Sequence, residues 1–180
     1  IQLGDVFAAL DRLASNGTQL DDETRVTLQL AAYARQNVRP PLQQLVDQLL
    51  GPKLSLPVVK ILAAQLIRYP DQALLDQLYA RYRADKLPFN TESAGTVLAL
   101  LCATGVNRDW PKFAELRASI AQQSGASPTF LAAVEAFFRG QTNTTRITAI
   151  LPILPLPIEI NYALIDRYPG TSAPVMKRQP

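Results

Sequence analysis

The chain has 180 residues, of which 48% are apolar and 18% charged, and its net charge is +3. It contains no histidine and one cysteine, Cys102, which excludes imidazole-based catalytic triads, an internal disulfide and metal sites built from several Cys or His residues. The small charge excess is spread over both halves of the sequence, which argues against a nucleic-acid-binding surface. The sequence contains no apolar run of about 18 residues, so no transmembrane helix is predicted.

Apolar residues recur with a helical period from the start of the chain to about residue 140. In the clearest stretch, one apolar stripe with helical spacing is formed by Leu42, Leu45, Val46, Leu49 and Leu50. Short polar residues and prolines at the starts of such stretches, and glycines at their ends, mark the helix boundaries. These signals predict eight helices, at about residues 4–15, 21–37, 41–50, 56–68, 71–84, 92–105, 109–123 and 128–139.

The connections between the predicted helices are short, so consecutive helices are expected to be antiparallel neighbours. The even-numbered helices begin about every 36 residues, which favours four helical hairpins stacked as an α-solenoid. A helical bundle whose helices happen to have similar lengths is the alternative. The predicted fold class is therefore all-α, with a helical-hairpin domain at residues 1–140 and a segment of different character at residues 141–180.

Over residues 4–139 this architecture resembles the tetratricopeptide-like superfamily. Trp110 stands early in a predicted helix, as the aromatic residue of that family's motif does, and the small pair Ala132 and Ala133 is followed by Phe137. The glycine and the second tyrosine of the motif are not found together in any repeat. The resemblance implies a scaffold that binds other proteins and is not an enzyme.

The segment 141–180 begins with a polar linker, followed by Pro152, Pro155 and Pro157, which exclude a continuous helix and a central strand. We expect an extended, Pro-rich apolar arm at 151–158, with a short helix on either side at about 145–150 and 158–167. Apolar side chains in this arm are unfavourable in water, so the arm packs on its own helices or docks on a partner or a neighbouring copy. Its candidate contacts are Leu151, Ile153, Leu154, Leu156, Ile158 and Ile160.

A cluster of basic and aromatic residues is the second candidate contact. Tyr82 and Arg83 lie near the end of the fifth predicted helix, and Arg68 and Tyr69 lie at the end of the fourth. On the concave face of a solenoid, these residues would suit an acidic or C-terminal peptide. The helix macrodipole, which favours basic residues at helix C-termini, explains the arginines without any ligand.

The sequence offers little for catalysis. Cys102 follows Leu101 on an apolar stripe, which predicts a buried and unreactive thiol, and no glycine-rich phosphate-binding motif occurs. The acids Asp21, Asp22 and Glu23 are interpreted as residues that cap the start of a helix.

We therefore expect a non-enzymatic scaffold or adaptor within a larger assembly at a bacterial envelope, with no cofactor, metal or nucleic acid. Its expected partner is another protein or a neighbouring copy of the chain. The alternative is a self-assembling coat or filament subunit whose arm exchanges between copies. The start at Ile1 and the lack of disulfide-forming cysteines slightly favour a periplasmic over a cytoplasmic location.

Overall fold

A computed structural model describes residues 3–52, 55–124, 128–140 and 158–168. Within these ranges the secondary structure is entirely α-helical, which confirms the predicted fold class. The helices described are α1 (Leu3–Ser15), α2 (Asp22–Arg35), α3 (Leu42–Leu49), α4 (Leu56–Arg68), α5 (Gln72–Ala84), α6 (Ala94–Val106), α7 (Trp110–Ser124), α8 (Pro128–Phe138) and α9 (Ile158–Arg167). The first eight begin and end within two residues of the predicted positions, and α9 occupies the range predicted for the short helix after the arm.

Several predicted helix starts are confirmed by hydrogen bonds to side chains. Asp21 accepts a hydrogen bond from the backbone N–H of Thr24 at 2.7 Å, and Asp71 caps α5 in the same way. Before α6, a side chain also holds the turn that leads into the helix. The side chain of Asn90 accepts hydrogen bonds from two backbone N–H groups, at 3.0 Å each, and holds the turn that precedes the helix.

The chain divides into two compact units, Ile1–Leu62 and Ala63–Pro180. In the first unit, α1 packs on α2. The buried side chains of α2 and α3 lie at the spacing that predicted these helices, since Val26 and Leu30 are buried in α2, and Leu45 and Val46 in α3.

In the second unit, α6 is the central helix and packs on α5, α7 and α8. Its sequence contains no charged residue, and ten consecutive residues, Thr96 to Gly105, are buried. A helix that is apolar on all sides must be enclosed by others, which explains this position. Gly105 allows the closest approach, because a Cβ atom there would lie only 2.5 Å from the ring of Phe138 in α8.

The helix α9 also contributes buried residues. Ile160 is 0% and Leu164 is 3% exposed, and the ring centroid of Tyr168, which directly follows α9, lies 5.0 Å from that of Phe137. Of the extended arm predicted at 151–158, residues 151–157 lie outside the described residues, as does the helix predicted at 145–150, and residue 158 begins α9.

Candidate functional site

The structure places only part of the predicted arm. Four of its six candidate contacts lie outside the described residues, namely Leu151, Ile153, Leu154 and Leu156. Ile158 is the first residue of α9, and its side chain also lies outside what is described. Ile160 is completely buried, so in this structure its side chain belongs to the interior and is not presented to a partner.

The two arginines of the basic and aromatic cluster are each paired with a carboxylate on another helix of the second unit. The Nε atom of Arg68 donates a hydrogen bond to Asp166 of α9 at 2.8 Å. The Nε atom of Arg83 lies 3.3 Å from a carboxylate oxygen of Glu115 in α7. These pairs neutralise much of the positive charge that was expected to bind an acidic peptide.

The tyrosines of the cluster are buried or half-buried, so they expose little surface to a partner. Tyr82 is buried, and its ring centroid lies 5.9 Å from that of Tyr79. Burial, together with the negative charge of Glu115, raises the pKa of Tyr79, so its hydroxyl stays neutral. Tyr69 is half-buried beyond the end of α4. The aromatic part of the cluster therefore offers little free surface.

A polar network joins α5 and α7 in the same unit. The ammonium group of Lys112 lies 2.6 Å from Asp109 and 2.8 Å from Asp76, and the amide of Gln72 donates to both carboxylates. The hydrogen bonds to Asp109 and Asp76 raise the pKa of Lys112. A lysine held in its charged form is a poor base or nucleophile. We therefore interpret the network as a structural contact that links α5 to α7.

An open groove of about 920 Å³ lies in the first unit, between α1, α2 and the end of α3. The local sequence signals do not predict this groove. Its lining includes apolar side chains from α1, from the end of α3 and from the turn before α2, namely Phe7, Leu10, Ala14, Leu20 and Leu49. Its polar lining includes Asp11, Asp21, Asp22, Arg25, Gln29 and Gln48. The groove therefore combines an apolar surface with carboxylates and amides.

The apolar stripe of α1 is only partly covered. Val6, Phe7 and Leu10 are half-buried, and Leu13 is 40% exposed. The ring of Phe7 contacts that of Tyr33 in α2, at 5.7 Å between centroids, yet none of the α1 side chains that the structure describes is fully buried. Helical periodicity correctly predicts that this stripe exists, but it carries no information on how completely other helices cover it.

The groove has an excess of negative charge, because three carboxylates line it against one guanidinium. Asp22 lies 3.1 Å from that guanidinium, which belongs to Arg25. Asp21 caps α2, and the hydrogen bond from the backbone N–H of Thr24 lowers its pKa. Asp11 in α1 forms no side-chain hydrogen bond or ion pair to any residue that the structure describes. The interpretation of the acids at 21–23 as capping residues is correct for Asp21 but overlooks the neighbouring charge on α1.

No three His, Cys, Asp or Glu side chains among the described residues are grouped so as to hold a metal ion. In the part of the chain that the structure covers, every helix is too short or too polar to cross a lipid bilayer. No protein-family model matches the chain, and neither curated proteins nor solved structures gave a significant match.

Proposed function

We propose that this protein is a non-enzymatic scaffold or adaptor that binds a segment of another protein in the groove of its first unit. The observation that carries the proposal is the half-covered apolar stripe of α1, which lies beside carboxylates and amides in an open groove. Covering such a surface lowers the free energy by about 25 cal/mol per Å² of apolar area removed from water.

The groove lining defines the chemistry of the partner. Apolar side chains are required against Phe7 and Leu10, and basic side chains are favoured near Asp11 and Asp22, because the groove carries more carboxylates than guanidinium groups. The expected ligand is therefore a short segment in which apolar residues stand next to Lys or Arg. The resemblance of the helical hairpins to tetratricopeptide-like proteins, which implies binding of other proteins, supports this proposal.

The proposal is tested with a fluorescein-labelled peptide that carries two leucines followed by two lysines in a Gly/Ser frame. Binding to the full chain is followed by fluorescence anisotropy, and the reference peptide carries two glutamates in place of the lysines. We expect the basic peptide to bind and the acidic peptide not to bind. Higher salt should weaken the binding, because exposed charges are screened.

The double variant Asp11→Asn, Asp22→Asn removes two charges from the groove. We expect it to weaken binding about 3- to 10-fold, since each exposed ion pair contributes at most about 1 kcal/mol. The matched control is Glu23→Gln, Asp47→Asn, which removes the same charge from exposed positions of the first unit that do not line the groove. Equal affinity for the two peptides, or equal weakening by the two double variants, would overturn the proposal.

A further inference from the structure

Residues 174–178 of this chain have the composition that the groove requires. Their sequence is Pro-Val-Met-Lys-Arg, in which two apolar side chains are followed by two basic ones. The whole stretch 169–180 contains no acidic residue, because the last acid of the sequence is Asp166. We call residues 174–178 the basic segment.

We infer that the basic segment of one copy binds in the groove of a second copy. This inference rests on the proposed function, since it names the partner of the same groove. Val175 and Met176 match the apolar lining that α1 leaves half-covered. Lys177 and Arg178 match the carboxylates, of which Asp11 has no partner among the described side chains.

The net charge of the chain permits a second copy to be the partner. The net charge of +3 is small, so copies repel one another only weakly at physiological ionic strength. The groove and the basic segment are different surfaces, and neither is complementary to itself. The contact is therefore heterologous, and each copy can bind one neighbour through its groove and another through its segment. Such contacts form rings or open filaments. A contact of about five residues is weak, so assembly depends on protein concentration.

The test uses two full-length variants that each disable one side of the contact. The groove variant carries Asp11→Asn and Asp22→Asn, and the segment variant carries Lys177→Glu and Arg178→Glu. Sedimentation velocity is measured for each protein alone and for an equimolar mixture, at concentrations from about 10 µM to 1 mM. The protein with Glu23→Gln and Asp47→Asn is the control.

We expect the unmodified chain and the control to form species larger than a dimer as the concentration rises. Each variant alone should stay monomeric at the concentrations where the unmodified chain begins to assemble, and the groove variant should assemble only at about 3- to 10-fold higher concentration. The equimolar mixture should form a heterodimer and nothing larger, because it has one intact groove and one intact segment for each pair. That recovery also shows that the segment variant is folded, because it supplies the intact groove. Monomers of the unmodified chain at the highest concentration, or assembly of either variant like the unmodified chain, would overturn the inference.

The two proposals fail in different ways. If the unmodified chain stays monomeric while the two-lysine probe peptide still binds and is weakened by the groove variant, the groove is a binding site but the second copy is not its partner. If the probe peptide does not bind either, both the proposed function and the inference fall.

Discussion

At the scale of single residues, Gly105 is tightly restricted by its surroundings. A methyl group at this position would lie 2.5 Å from Cγ of Phe138. That ring has little room to move, since Phe138 is 6% exposed and also contacts the rings of Phe113, Phe137 and Tyr168. The glycine therefore determines how closely α6 and α8 approach each other.

We expect Gly105→Ala to lower the free energy of unfolding by about 1–2 kcal/mol. Overpacking of a core costs about 1–3 kcal/mol, and the better helix propensity of alanine offsets up to about 1 kcal/mol of that cost. Urea denaturation checks the prediction, with Gly4→Ala as the control, because nothing lies within 4 Å of a Cβ atom at Gly4. The control should be unchanged or slightly more stable. A Gly105→Ala protein as stable as the unmodified chain would contradict this account.

Cys102 lies in the same buried helix, and the prediction that its thiol is buried is confirmed. Burial raises its pKa to about 12, so only about one thiol in ten thousand is deprotonated at pH 8. The thiolate is the reactive form, so Cys102 acts as a packing residue of α6.

At the level of whole helices, the contact between α5 and α7 depends on pH through Lys112. Desolvation opposes ionisation of Asp109, but the hydrogen bonds from Lys112 and Gln72 outweigh it and lower the pKa of Asp109. Hydrogen bonds from the same two residues lower the pKa of Asp76. Carboxylates with a lowered pKa stabilise the fold above their unfolded-state pKa, near 4, and this stabilisation is lost as the pH falls through the folded-state values.

The pKa of Lys112 is raised, so the stability that its charge contributes is complete below the unfolded-state pKa of lysine, about 10.4. This stability is lost as the pH rises through the folded-state pKa. We expect Lys112→Met to be less stable by about 0.5–1 kcal/mol near neutral pH, since Asp76 is largely exposed and solvent screens the pair. The deficit should shrink below about pH 4 and above about pH 10.4. Thermal unfolding at pH 3, 7 and 11 checks this, with the exposed Lys86→Met as the control. A deficit that does not change with pH would contradict the account.

The helices could be predicted because their signals are local. The cap at Asp21 and the apolar spacing of α3 lie within a few residues of the helices they define, and the uncharged sequence of α6 alone indicates a buried helix. The surroundings of the candidate sites could not be predicted in this way. Arg68 and Asp166 are 98 residues apart in the sequence, and the groove exists because α1 is only partly covered, which depends on how separate helices pack.

For the molecule as a whole, the place of α9 in the fold determines what the region after residue 140 does. The sequence predicts a domain boundary at residue 140, which would leave α9 outside the helical domain. Yet Ile160 and Leu164 of this helix are almost completely buried, and the ring of Tyr168 contacts those of Phe137 and Phe138. Burial of two such aliphatic side chains contributes about 3–6 kcal/mol, a large part of the 5–15 kcal/mol that typically stabilises a domain.

Two truncations separate the role of α9 from that of the basic segment. The chain that ends at Tyr168 should keep its free energy of unfolding and lose self-association, because it retains α9 but lacks residues 174–178. The chain that ends at Gly140 should lose the ordered packing of the second unit. The fluorescence of Trp110, the only tryptophan of the sequence, reports on that unit during urea denaturation. If the chain ending at Gly140 unfolded with the same midpoint as the full chain, the boundary at residue 140 would stand and α9 would be an appendage. If instead the chain ending at Gly140 is unstable and the chain ending at Tyr168 is not, α9 is part of the core. Any loss of assembly in the chain ending at Tyr168 is then due to residues 169–180 alone.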